Sequence, residues 1–165
     1  MKNTTLLMLT GIILIVLFLL RKPINKAIMT RGYKNNNFGN IRKTYDLKGN
    51  LKLWKGEIIG TDKDFKTFKS ASFGYRALIA LLYEYNSKGY NTIDKIITRY
   101  APSNENNTLA YISGVAKQTG LPQTTPINFT DTDIIKKLVA AISYHENGIK
   151  ANVDDINAGY ELYKS

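Results

Sequence analysis

The sequence predicts an α+β domain, mainly α with one small β-hairpin, standing behind a single N-terminal transmembrane helix. Three observations carry this prediction. Thr4 to Leu20 is uncharged and almost wholly apolar, and about 17 residues rising about 1.5 Å each can just cross a hydrocarbon core. Tyr45, Leu47, Leu51, Leu53 and Trp54 flank a Lys48-Gly49-Asn50 turn, which is the pattern of a hairpin. Beyond Phe68, apolar residues recur at helical spacing in four successive segments.

The apolar run is followed at once by Arg21-Lys22-Pro23, with no small-x-small cleavage site between them. An uncleaved anchor over residues 1–22 is therefore expected rather than a signal peptide. Arg21, Lys22, Lys26 and Arg31 follow the span, which by the positive-inside rule leaves the domain on the cytoplasmic side. Residues 23–30 read as a linker, and 31–165 as the folded domain.

Each element of that domain has a local reason. Arg31 to Arg42 contains Asn35-Asn36-Asn37-Phe38-Gly39-Asn40. Asparagine tolerates left-handed backbone and bonds to nearby main chain, so this run predicts an ordered turn. A hairpin is expected over 44–60. Ser70 or Ser72 can cap a helix that carries Leu78, Leu81, Leu82 and Tyr85 and ends at Gly89. Asn91-Thr92 caps a second, with Ile93, Ile96, Ile97 and Tyr100, broken by Pro102. A third carries Leu109, Tyr111, Ile112 and Val115 and stops at Gly120. The last long helix is expected from Asp133 to Glu146, with Asn147-Gly148 as its stop.

Composition narrows the chemistry. There is no cysteine, hence no thiolate nucleophile, disulfide or cysteine metal site, and one histidine, His145, excludes a multi-histidine zinc centre. No cofactor and no metal is expected. The net charge of +10 points to an anionic partner. The lysines and arginines are scattered without a dense tract or a nucleic-acid motif, so nucleic acid is not expected as that partner.

In the last helix, Ile135, Leu138, Val139 and Ile142 form one stripe, and Glu146 continues it by a further step of four. A carboxyl group set among apolar side chains at a helix end is suited to act as general acid in glycosidic cleavage. Glu57 and Asp62 are candidates for a second acid; Asp64 and Glu105 are weaker ones. His145 neighbours Glu146 in sequence but lies about 100° round the helix.

Taken in order, these segments resemble a known family. Asn36-Asn37-Phe38-Gly39-Asn40-Ile41, a hairpin, then Phe65-Lys66-Thr67-Phe68-Lys69-Ser70 leading into a Leu-rich helix resembles the flagellar-type peptidoglycan glucosaminidases of the lysozyme-like superfamily. Arg99-Tyr100-Ala101-Pro102 followed by Tyr111 is similar to their later Tyr-Ala segment. The soluble part also looks like a group of phage virion proteins. The resemblance covers roughly residues 32–159. It departs at one place: those enzymes carry a catalytic Glu-Ser-Gly just before the asparagine turn, and here Lys26-Ala27-Ile28-Met29-Thr30 has no carboxylate. Leu138 to Gly148, ending Glu146-Asn147-Gly148, looks like that catalytic helix displaced to the other end of the chain.

The resemblance implies a circularly permuted lysozyme-like domain with Glu146 as its catalytic acid. Asn35, Asn36, Asn37, Asn40, Tyr100 and Tyr111 would bind substrate. It implies a membrane-anchored, phage virion-associated enzyme that cleaves the glycan strand of peptidoglycan on entering or lysing the host, by lytic transglycosylase or by muramidase or glucosaminidase chemistry. Its partners would be peptidoglycan strands, the viral or host inner membrane, and capsid proteins. The alternative is a non-enzymatic virion structural protein that keeps a decayed glycan-binding domain.

Overall fold

The computed structural model describes residues 29–101 and 107–165. In chain order these form α1 (Arg31–Lys34), β1 (Glu57–Ile58), β2 (Thr67–Phe68), α2 (Ala71–Ser87), α3 (Ile93–Tyr100), α4 (Thr108–Thr119), α5 (Thr132–Asn147) and α6 (Val153–Lys164). The architecture is mainly helical with one small two-stranded sheet, as expected.

Two sequence expectations need correction. Among the described residues no helix is long and apolar enough to cross a membrane. The longest, α2, has 17 residues and carries Arg76 and Glu84, and the others bury one face only. The expected transmembrane helix and single-pass membrane location are thus unsupported, and the run on which they rested lies outside the described residues. The hairpin is the second correction. Tyr45 and Leu51 make a single antiparallel bridge, while the regular ladder pairs Glu57 with Phe68 and Ile58 with Thr67. Tyr45, Leu47 and Leu53 are exposed. Strand pairing is stabilised by burying one face, and of the expected apolar set only Trp54 packs on a buried cluster, that of Ile41, Phe68 and Ala77.

The helices follow their sequence signals closely. Ser70, Thr92, Asn107 and Asp131 are the residues that precede α2, α3, α4 and α5, and Gly120 and Gly148 close α4 and α5 in left-handed backbone. The core lies where α2 to α6 meet: Leu78, Ile79 and Leu82 against Ile93, Ile96 and Ile97, Tyr111 and Val115, and Ile135, Leu138, Val139 and Ile142. The helix over 153–164 has no counterpart among the expected elements, although its signals are present. Asn152 caps it by accepting from the Asp154 N–H, and Ile156 and Tyr160 are its buried stripe.

This last helix packs along α2 at close range. A Cβ on Gly159 would stand 2.8 Å from the Tyr75 Cβ and 2.9 Å from both Arg76 N and Ser72 O. Only a residue without a side chain allows the two backbones that approach.

Candidate functional site

Glu146 lies in the last turn of α5, next to the capping Gly148. It is partly buried. Two groups distant in sequence converge on its carboxylate: the Tyr111 hydroxyl donates to Oε1 at 2.9 Å, and the Asn40 Nδ2 donates to Oε2 at 2.8 Å. Tyr111 comes from α4 and Asn40 from the asparagine turn. Three separated pieces of sequence therefore meet at one carboxyl group.

The turn is held against this helix end residue by residue. Asn147 Nδ2 donates to the carbonyl oxygens of Phe38 and Ser143, both at 2.9 Å, while its Oδ1 accepts from the Thr30 hydroxyl at 2.8 Å. The Tyr100 hydroxyl donates to the Gly39 carbonyl. Asn40 N donates to Asn37 O at 2.9 Å. The fully buried Asn37 side chain accepts from Ile41 N at 2.8 Å and donates to Ile41 O and Lys66 O. Phe38 stacks on Tyr75 of α2 with ring centroids 4.3 Å apart. Asn36 and Asn40 take positive φ, 48° and 45°, which asparagine adopts at less cost than most residues. Gly74 completes the fit, since a Cβ there would lie 1.7 Å from the Asn36 carbonyl oxygen.

The expected substrate-binding amides thus divide. Asn36 Nδ2 donates to Phe68 O at 3.0 Å, and Asn35 Nδ2 donates to Asp62 Oδ2 at 2.7 Å. With Asn37, they fasten the turn to β2 and the loop before it. Asn40 alone of the four reaches Glu146. Its Oδ1 is buried and has no hydrogen-bond partner.

Tyr100 and Tyr111 stand edge to face, 6.5 Å between centroids, and His145 stacks on Tyr111 at 3.5 Å. Burial, with the Glu146 charge nearby, pushes both tyrosine hydroxyls well above their usual range. Both therefore remain donors through neutral pH. Burial lowers the His145 imidazole from its ordinary 6.5, against the opposing pull of Glu146.

The two second-acid candidates are engaged elsewhere. Glu57 forms an ion pair with Lys66 at 2.9 Å, both side chains fully buried, and accepts from Trp54 N. Asp62 accepts from both Arg31 nitrogens at 2.7 Å, from Asn35, and from the backbone of Asp64 and Phe65. The Arg31 guanidinium holds its carboxyl well below the usual carboxylate range. An open groove of about 440 Å³ runs along α3 past Tyr90, Lys95 and Arg99, and one of about 200 Å³ lies between α5 and α6 at Lys137 and Tyr144. Neither is lined by Glu146, which meets Asn40 in direct contact rather than across an open cleft.

Sequence reasoning missed Asn147 as the bridge between the α5 end and the turn. Its place before Gly148 marked only a helix stop.

The sequence is 36% identical over 141 residues to Protein P5 of Pseudoalteromonas phage PM2, covering 84% of this chain and 83% of that protein. The chain belongs to the family of that phage protein. No protein-family model matches it. The matched length is great enough to take in most of the domain around Glu146, so the relationship is one of whole domains rather than of a shared motif.

Proposed function

We propose that this protein is a phage peptidoglycan-degrading enzyme that cleaves the glycan strand, with Glu146 as the general acid. The convergence of Tyr111 and Asn40 on Glu146 carries the reading. A carboxyl group at the end of an apolar stripe, oriented by two donors from separate elements and flanked by Tyr100 and Tyr111, is suited to protonating a glycosidic oxygen. Tyr111 is buried, with His145 against its ring and its hydroxyl on Glu146, so it orients the acid from the protein side.

Because Glu57 and Asp62 are each held in an ion pair, lytic transglycosylase chemistry is favoured over hydrolysis. A hydrolase needs a second carboxylate to activate water or act as nucleophile. In a transglycosylase Glu146 gives its proton to the leaving oxygen as the glycosidic C–O bond breaks, and the carboxylate so formed takes the proton of the sugar's own hydroxyl as that oxygen bonds to the same carbon. The resulting carboxylate is the form that Tyr111 and Asn40 are placed to receive.

The order of elements is read as a circular permutation of a lysozyme-like domain. Thr30, at the foot of the asparagine turn, touches Asn147, at the end of the acid-bearing helix, through the 2.8 Å bond. The two segments that are consecutive in the glucosaminidases thus meet in space here, although they are 117 positions apart in this chain. Association with the virion and action on entering or lysing the host belong to this reading.

Glu146→Gln is expected to reduce lysis of purified peptidoglycan by roughly 10²- to 10⁴-fold. Folding should survive, because the Tyr111 hydroxyl can turn to accept from the new amide. A zymogram showing undiminished lysis by this variant removes the proposal. Mass spectrometry of the products then distinguishes 1,6-anhydro ends, expected here, from reducing ends. One observation favours a second reading, a non-enzymatic glycan-binding virion protein: both Glu146 oxygens already have donors within the protein. Binding of sacculi by the native chain without any lysis selects that reading.

A further inference from the structure

The groove of about 440 Å³ along α3 is lined by two unlike rows of side chains. Lys95 and Arg99 form one row and Asp94 and Thr98 the other, each pair at the spacing that shares a helix face. Tyr90, just before the helix, lines the same groove and packs edge to face on Tyr85, with centroids 6.0 Å apart. Asp94 accepts from the Thr92 hydroxyl and from Lys95 N, both at Oδ1. Among the described residues neither Lys95 nor Arg99 is in an ion pair. The helix itself gives no reason for this pattern. Lys95 stands in the first turn, where a cation opposes the helix dipole, and four residues from a like charge, which destabilises a helix. The scaffold below is fixed: Ile93, Ile96 and Ile97 are fully buried. Asp94 N donates to Gln123 O at 3.1 Å, and Ile127 N to Asn91 O at 2.8 Å. The groove is thus carried on a rigid element, and its volume falls in the range of about 300–1,000 Å³ typical of ligand sites.

We propose that this groove binds the peptide stem carried by the peptidoglycan strand. Lys95 and Arg99 take the stem's carboxylates, Asp94 takes the ammonium of its diamino acid, and the Tyr90 ring lies on the aliphatic chain between them. The stem is zwitterionic: its γ-linked glutamate leaves one carboxylate free, and its diamino acid carries an amine. A cation row beside a carboxylate matches that pattern of charge. A phosphate polymer would meet Asp94 as a repelling charge, and an uncharged glycan has nothing for either row. This rests on the glycan reading above, which makes peptidoglycan the substrate. The groove does not share residues with the Glu146 site, so the acid acts on the sugar backbone while the groove reads the peptide. The two are joined through α3, whose last residue, Tyr100, donates to the Gly39 carbonyl of the asparagine turn.

Calorimetric titration of the full chain with N-acetyl-L-alanyl-γ-D-glutamyl-meso-diaminopimelate reads the groove, and sacculus lysis reads Glu146 separately. The native chain should bind this tripeptide. Lys95→Gln and Arg99→Gln should each weaken binding about 10-fold, as for a lost hydrogen bond to a charged group. Both residues are exposed, so these variants should fold as the native chain does, which thermal melts check. Asp94→Asn keeps an oxygen to accept from Thr92 and Lys95 N. It should weaken the tripeptide but not N-acetyl-L-alanyl-γ-D-glutamate, which has no ammonium. No tripeptide binding by the native chain, or binding that Lys95→Gln and Arg99→Gln leave unchanged, overturns the assignment whether or not sacculi are lysed. Inorganic phosphate bound as tightly as the tripeptide makes the groove a general anion site and also overturns it, as does an Asp94→Asn effect equal on both peptides. Tripeptide binding that depends on Lys95 and Arg99, with no lysis by the native chain, upholds the groove and removes the enzyme reading.

Discussion

Asparagine recurs wherever this chain turns against a neighbour, because its short side chain offers both a donor and an acceptor to the main chain. Asn37 and Asn147 show the use most fully. Each is buried and uses both ends of its amide: Asn37 on backbone alone, Asn147 on two backbone carbonyls and the Thr30 hydroxyl. Asp62 plays the same part with a charge. Its folded carboxyl lies well below its reference value of 3.8, first because of Arg31. A depressed carboxylate contributes stability that is present above the unfolded value and lost as pH falls through the folded one. The stabilisation from Asp62 should therefore be complete above about pH 5 and fade in stronger acid. Thermal melts of the native chain and Asp62→Asn are expected to differ most near neutral pH and to converge as pH falls toward 2. Arg31 is exposed, so solvent screening limits the gap. A gap that widens in acid would contradict the assignment.

At the scale of elements, α2 is gripped from two sides by close backbone contacts. Gly159 lets α6 lie against its first turns, and Gly74 lets the asparagine turn lie on it. Alanine at Gly159 gains about 1 kcal/mol of helix propensity. Its Cβ would also stand 2.8 Å from the Tyr75 Cβ and 2.9 Å from two backbone atoms, and overpacking costs about 1–3 kcal/mol. The clash outweighs the propensity. Gly159→Ala should lower the melting temperature by a few degrees and leave glycan affinity unchanged, since α6 does not touch Glu146. Gly74→Ala meets the Asn36 carbonyl at 1.7 Å, so the turn itself must move. That variant should lose both stability and glycan affinity, because Asn40, which holds Glu146, rides on the turn. Equal effects of the two substitutions on affinity would refute this division of labour.

The whole molecule carries a net charge of +10. Among the ion pairs of the described residues, only Lys66–Glu57 is fully buried. The remaining charges of the described residues therefore face solvent for the most part, where their attraction for an anionic polymer is screened by salt. Co-sedimentation with purified sacculi should weaken several-fold between about 0.05 M and 0.5 M salt, as the screening length shrinks below about 5 Å. Melting over the same range should change little. Salt-independent binding would assign recognition to the Glu146 site alone and leave the net charge without this role.

The helical elements were legible because their signals are local. A cap residue, an apolar spacing near 3.6 and a terminal glycine lie within one segment, and α2 to α5 formed where those signals stood. The same kind of local signals mark α6 at Asn152, Ile156 and Tyr160. The hairpin misled because alternation records which side chains could be buried, not whether anything covers them. Around Glu146, sequence supplied the carboxylate, the apolar stripe and the asparagine turn. Only tertiary structure decided that Asn40 and Tyr111 meet that carboxylate and that Asn35, Asn36 and Asn37 face inward. It also decided that Glu57 and Asp62 are paired away. The contacts to Glu146 join residues 35 and 106 positions apart, and no periodicity within a segment encodes which distant partner a polar group will find. Sequence set the elements through local propensity; packing set the partners, because a buried polar group left unpaired is costly.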